Sequence, residues 1–217
     1  LMKLSYIPTP IEVISDVKVV LKQRFSETEL ASPAAIIELV RTHIHSVHRW
    51  KNGERSSKNY ISSSGIMLDF DGTTSLMTIR DLCLDHKLYY IIVPSKSHRL
   101  TKNGRTSDRF HLYLPFSKPV QLTPTHIDEI YSHFPDADTA CRDLARMFYP
   151  SLIDNDQACD ICYGEGSYAD EVFDLVDSAR YKRDIYSQSE IKRVTIGDET
   201  EIDLRLIAKK TPIKCPF

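Results

Sequence analysis

Gly65-Ile66-Met67-Leu68-Asp69-Phe70-Asp71-Gly72 is an apolar run that ends in two carboxylates one residue apart. On a strand, alternate side chains leave on the same face, so Asp69 and Asp71 point together while Phe70 packs the other way. Two such carboxylates repel each other, and a divalent cation removes that cost. Hard oxygen ligands of this kind suit Mg²⁺ or Mn²⁺ bound together with substrate phosphates. The same residues also fit an ordinary strand end, where Asp and Gly open a turn and the acids are solvated.

Downstream, the pattern predicts a short helix near 75–86. A second apolar run, Leu88-Tyr89-Tyr90-Ile91-Ile92-Val93, reads as a buried strand, so that strand, helix and strand make a βαβ unit. Next comes a basic stretch carrying Lys96, Arg99, Lys102, Arg105, Arg109 and Lys118 against a single acid, Asp108. Phe110-His111-Leu112-Tyr113-Leu114 alternates as a third strand, and Thr123-Pro124 starts a helix that ends near Phe134-Pro135. Ile161 to Tyr168 suggests one more strand and Asp170 to Val176 a final short helix.

Upstream, Ser32-Pro33 is a helix start, and Ile36, Ile37, Val40, Ile44 and Val47 recur at helical spacing, which predicts a helix from about 33 to 49. Residues 1–60 are therefore expected to be a mainly helical N-terminal portion, 61–180 the catalytic core, and 181–217 a linker or peripheral helix. His43, His45 and His48 read as surface or core histidines, because His43 and His45 lie on different sides of a helix. The polar, basic segment 51–64 reads as a loop facing phosphate.

Apolar content of 41% and charged content of 27% place the chain among ordinary globular domains. No apolar run approaches the roughly 20 residues that span a bilayer, and no signal peptide is apparent, so the expectation is a cytoplasmic protein, host-cytoplasmic if viral, with no membrane partner. Five scattered cysteines do not form a disulfide framework. Cys159-Asp160-Ile161-Cys162 has zinc-like spacing but no second ligand pair nearby. A net charge of −2 leaves nucleic-acid binding to a local patch, for which the basic loop is the candidate.

Taken together, these residues resemble the archaeo-eukaryotic primase superfamily, in particular the primase-polymerases of phages and mobile elements, over roughly residues 50 to 178. The family's acid-x-acid motif after an apolar strand matches Asp69 and Asp71. Its serine-histidine element matches either Ser97-His98, within Val93-Pro94-Ser95-Lys96-Ser97-His98, or His111, within Arg109-Phe110-His111-Leu112-Tyr113-Leu114. Its lone acid on a strand matches Asp138, with Asp136 as the alternative, in a passage that continues through Arg142, Arg146, Met147-Phe148-Tyr149 and Pro150-Ser151.

The resemblance implies an α+β fold with a mixed, largely antiparallel sheet and flanking helices. It also implies template-dependent nucleotidyl transfer in DNA replication, with Asp69, Asp71 and Asp138 as catalytic ligands of two Mg²⁺ or Mn²⁺ ions. Lys96, Ser97, His98 or His111, Arg109 and Arg146 would hold the nucleoside triphosphate. A DNA template would meet Arg55, Lys58, Arg99, Lys102 and Arg105. Trp50 and Tyr60 read as packing residues, with stacking on unpaired bases as the other reading. The closing Cys215-Pro216-Phe217 is similar to the opening of a zinc-binding module found in many primases, so a full-length protein would carry that module or a helicase.

Two rivals stand beside this. Leu68-Asp69-Phe70-Asp71-Gly72-Thr73 also resembles the opening motif of haloacid-dehalogenase-type phosphatases, with Asp69 as nucleophile and Asp198 and Asp203 as closing acids; that fold requires alternating strands and helices. The other is a DNA-binding replication initiator without catalysis.

Overall fold

The structure, a computed structural model, describes residues 2–11, 22–102 and 104–175. In chain order the elements are β1 (Met2–Tyr6), β2 (Ser26–Leu30), α1 (Pro33–Thr42), β3 (His45–Ser46), β4 (His48–Trp50) and β5 (Tyr60–Asp71). There follow α2 (Leu76–Asp85), β6 (Tyr90–Pro94), β7 (Thr101–Lys102), β8 (Arg105–Thr106) and β9 (Arg109–Val120). The described chain ends with α3 (Pro124–His133), α4 (Asn155–Ala158), β10 (Cys162–Gly164) and α5 (Ala169–Val172). The fold is α+β, with antiparallel sheets and flanking helices.

The main sheet has the order β10-β6-β9-β5-β4, and every neighbouring pair in it is antiparallel. The expected strand-helix-strand unit is present as β5-α2-β6, but its two strands are not neighbours: β9 lies between them, antiparallel to both. This is a split βαβ arrangement. It also departs from the alternating order a dehalogenase-type phosphatase requires. Ser62 to Leu68, Tyr90 to Pro94 and Arg109 to Phe116 are buried along their whole length, so these strands are covered on both faces. One apolar cluster joins them to Met2 and Leu4 of β1, Ile36 and Val40 of α1, Ile79 of α2 and Ile130 of α3.

The N-terminal portion differs from the expectation of mainly helical structure. A second sheet, β2-β1-β3, occupies it. The predicted helix 33–49 starts as expected, with Ser32 Oγ accepting from Ala35 N–H and Pro33 in the first turn, but it stops at Thr42, where His43 turns extended. Ile44 and Val47, three apart, would share one face of a helix, whereas in the extended chain they point to opposite sides and enter different apolar clusters. Pairing decides: His45 and Ser46 align with Tyr6 and Ser5, and His48 aligns with Ser63, so the tertiary ladders override the helical period. Both apolar side chains are buried in the result.

The other helices follow their caps: Ser75 Oγ accepts from Thr78 N–H, and Thr123 Oγ1 accepts from His126 N–H behind Pro124. Ile161 to Tyr168 contains only the short β10. Asp198, Asp203 and Cys215-Pro216-Phe217 lie outside the described residues. No helix among the described residues is long and apolar enough to cross a membrane.

Candidate active site

Cross-strand register sets the site. On β5 and β9, Asp69 stands opposite His111 and Asp71 opposite Arg109, while Phe70 and Phe110 stack on the other face with ring centroids 4.9 Å apart. Directly after the acids, Gly72 adopts φ +88°, and a Cβ there would lie 2.4 Å from Ser107 Oγ, so the turn out of β5 needs glycine.

Asp138 reaches this strand end from a distant part of the chain. It does not sit on a strand, as expected for the third acid. It caps the short 3-10 turn Thr139–Arg142, its carboxylate accepting from Ala140 N–H at 2.9 Å. Its own N–H donates to Asp69 O at 2.8 Å, and Tyr131 Oη donates to its carbonyl at 3.0 Å. The turn is thereby locked against β5. Asp69, Asp138 and Cys141 each offer a ligand atom within 4.8 Å of the others, a donor set that fits a divalent cation. Asp71 is outside that set, with its carboxylate 2.9 Å from Arg109 Nε. Asp136 is outside it too; its carbonyl accepts from Thr73 Oγ1.

Beside these acids opens a cavity of about 650 Å³ whose lining includes Asp69, His111, Arg146, Lys96, Ser97 and Arg55. One wall is the loop after β6. The other is the segment 145–151. Arg146 Nη2 stands 4.0 Å from Asp69 Oδ2 and 3.9 Å from Asp138 Oδ2, and its guanidinium lies over the Phe148 ring. His111 Nε2 is 3.6 Å from Asp69 Oδ1, and its edge meets Phe148. Burial, reinforced by the positive charge of Arg146, pushes the His111 pKa down to about 4, so the ring is neutral at neutral pH. Burial pushes the Cys141 thiol up to about 12, against the opposing positive charge of Arg146 and with Asp69 and Asp138 adding to the rise.

The two candidate histidines are placed differently. His98 is not part of the cavity lining. It is 1% exposed, its Nδ1 lies 3.1 Å from the Arg109 main chain, and its Nε2 lies 3.0 Å from Asp160 Oδ2. Arg109 is also committed to the fold: besides Asp71, its Nη1 donates to the carbonyls of Ser97 and Leu100 at 2.9 Å each.

The basic residues assigned to template scatter. Arg99 pairs with Asp160 at 2.8 Å, and Lys102 and Arg105 are register partners in the β7–β8 hairpin. Lys58 is exposed on a 3-10 turn. Arg55 instead lines the cavity, its Nη1 donating to Ala145 O at 3.0 Å. Trp50 is 2% exposed against Phe25, with Nε1 donating to Leu144 O, so it packs rather than stacks on bases. Tyr60 Oη bonds with Ser63 Oγ at 2.9 Å and accepts from Leu122 N–H at 2.9 Å.

Sequence reasoning missed Cys141 as a neighbour of the two acids, and Ser151 and Arg55 as cavity residues. Only Arg55 carried a signal, as a cation in a loop read as facing phosphate.

No protein-family model matches the chain, and no curated protein matches it in sequence. Among solved structures it is similar to the AEP domain of the cyanophage S-2L primase-polymerase, at 13% identity, covering 80% of this chain and 88% of that one, with a TM-score of 0.40. An overlap that loose does not decide the site or its chemistry.

Proposed function

We propose that this chain carries out template-dependent nucleotidyl transfer as a DNA primase-polymerase. The observation that carries the proposal is the meeting of Asp69 and Asp138 beside a cavity lined by Arg55, Lys96, Arg146 and a buried neutral histidine. When bound, two divalent cations supply Lewis acidity at the attacking 3′ hydroxyl and the departing pyrophosphate. Asp69 and Asp138 are the carboxylates that hold them. Asp71, on the same face of β5 but paired with Arg109 Nε, would join them as the third acid.

Arg55, Lys96 and Arg146 neutralise the triphosphate and fix it for in-line attack, chiefly by positioning and electrostatics. His111, rather than His98, donates a hydrogen bond to phosphate, and Ser97 lies on the same wall. His98 and Arg109 serve by shaping the loop that carries Lys96 and Ser97. Arg99, Lys102, Arg105 and Lys58 would meet the template at separate points, contacting phosphates with little base readout, so that binding weakens steeply with salt. In domain terms residues 61–180 form the catalytic core, with 1–60 buttressing it.

Primer extension on a single-stranded template with Mn²⁺ or Mg²⁺ tests this. The expected result is incorporation by the native chain and none by Asp69→Asn. Hydrolysis of a small phosphate ester through a covalent adduct at Asp69, with no synthesis, would overturn it in favour of a phosphatase. DNA binding with neither activity would leave the initiator.

A further inference from the structure

Cys141 has no part in the reaction as just described, yet its thiol shares the position where the two acids meet. Asp138 and Cys141 are the first and fourth residues of one 3-10 turn, closed by Cys141 N–H donating to Asp138 O at 3.1 Å. In such a turn side chains three apart eclipse, so carboxylate and thiol leave on one side. The hydrogen bond from Asp138 N–H to Asp69 O presses that side against the end of β5.

Two further observations point to a cation there. Arg146 faces both carboxylates at 3.9 and 4.0 Å, well beyond the 2.7–2.9 Å of a charge-assisted hydrogen bond, so it balances the acids without closing the space between them. His111, with 9% of its surface exposed, turns Nε2 towards Asp69 Oδ1 at 3.6 Å, beyond hydrogen-bond distance, so a buried ring nitrogen faces the acids without closing onto them.

A thiol among carboxylates changes the metal that fits. Mg²⁺ takes oxygen ligands in strict octahedral geometry, whereas thiolate sulfur favours Zn²⁺, Cd²⁺ and Co²⁺. We propose that Cys141 is a protein ligand at the Asp69–Asp138 metal position, making that position selective for thiophilic divalent cations over Mg²⁺. This rests on the assignment of Asp69 and Asp138 as metal ligands. On binding, one metal–sulfur bond forms and the thiol proton leaves to solvent. Micromolar Zn²⁺ would then compete with Mg²⁺ for the site.

The test is Cd²⁺ titration of the full chain carrying Cys159→Ser, Cys162→Ser and Cys215→Ser, which leaves Cys141 and the buried Cys83 as the remaining thiols. Ultraviolet absorbance reads the thiolate-to-metal charge transfer. A saturable band is expected, absent after Cys141→Ser. Asp138→Asn, at an exposed position, should weaken Cd²⁺ binding at least about tenfold with Cys141 in place, while Cys141→Ser should change Mg²⁺ affinity less than about twofold.

A band that survives Cys141→Ser would overturn the proposal. So would Cd²⁺ displacing Mn²⁺, followed by the Mn²⁺ paramagnetic signal, without any band. Thermal melts of each variant separate lost ligation from lost folding. A Cys141-dependent band in a chain that synthesises nothing would leave the metal position standing and remove the polymerase. Synthesis without the band would do the reverse.

Discussion

The two walls of the cavity are held in opposite ways. The wall from Ser95 to Leu100 is tied by its own neighbourhood: Arg109 grips the carbonyls of Ser97 and Leu100 and the carboxylate of Asp71, and His98 closes onto the Arg109 main chain and Asp160. The wall from Ala145 to Ser151, with Leu144 just before it, is tied almost entirely to the N-terminal portion. Trp50 Nε1 donates to Leu144 O, Arg55 to Ala145 O, and Ser46 Oγ to Arg146 O. His45 and Phe148 exchange main-chain hydrogen bonds, and Ser151 N–H donates to Val40 O. Arg146 is therefore aimed by strands from the far end of the sequence. A helix cap and two short strands upstream serve the site as much as the loop that touches it.

The contrast can be broken or sharpened at several points, beginning with the acids that both walls face. Asp69→Asn and Asp138→Asn should each lower primer extension at least about a thousandfold with melting temperature little changed, since they remove ligands and not core contacts. Extension at native rates by either would end the assignment.

The histidines come next. His111→Ala should raise the apparent KM for nucleotide about tenfold or more. His98→Ala should act through folding, costing about 2 kcal/mol by removing the buried Nδ1 contact with the Arg109 main chain and one of the partners of Asp160, which keeps Arg99, and should raise KM little. The opposite split, read by steady-state kinetics and denaturant melts, would exchange their roles.

The far wall should respond to its upstream anchor. Trp50→Phe removes the hydrogen bond to Leu144 O and some buried volume, so a stability loss of about 2 kcal/mol is expected, with a fall in kcat/KM measured below the melting point. Unchanged kcat/KM would show that the N-terminal strands do not aim Arg146.

Acid should loosen the same anchor. Burial lowers the pKa of His45 to about 3 and of His48 to about 4, from 6.5. Between those values and 6.5 the unfolded chain binds more protons than the folded one, so stability is full above pH 6.5 and falls as pH drops towards 4 and 3. At pH 5 each histidine should cost roughly 2 kcal/mol. Urea midpoints at pH 7 and pH 5 measure this, and equal midpoints would contradict it. The smallest effect belongs to the exposed cations: Lys58→Ala and Arg105→Ala should each weaken template binding a few-fold and flatten its salt dependence by about one ion.

Much of this was legible locally. The alternation through Asp69-Phe70-Asp71 placed both acids on one face of a strand, Ser32-Pro33 and Thr123-Pro124 marked helix starts, and the apolar run at Tyr90–Val93 marked a buried strand. Each of these depends on neighbours within a few residues, which periodicity and capping chemistry report directly.

Tertiary structure decided the rest. Insertion of β9 between β5 and β6 put Arg109 on Asp71 and His111 beside Asp69. A turn far along the chain brought Asp138 and Cys141 to the same point. Pairing with β1 and β5 turned residues 45–50 from helix into strands. Register between distant segments is set by which ladders and which apolar faces close together, and the period of any one segment is compatible with several such partners.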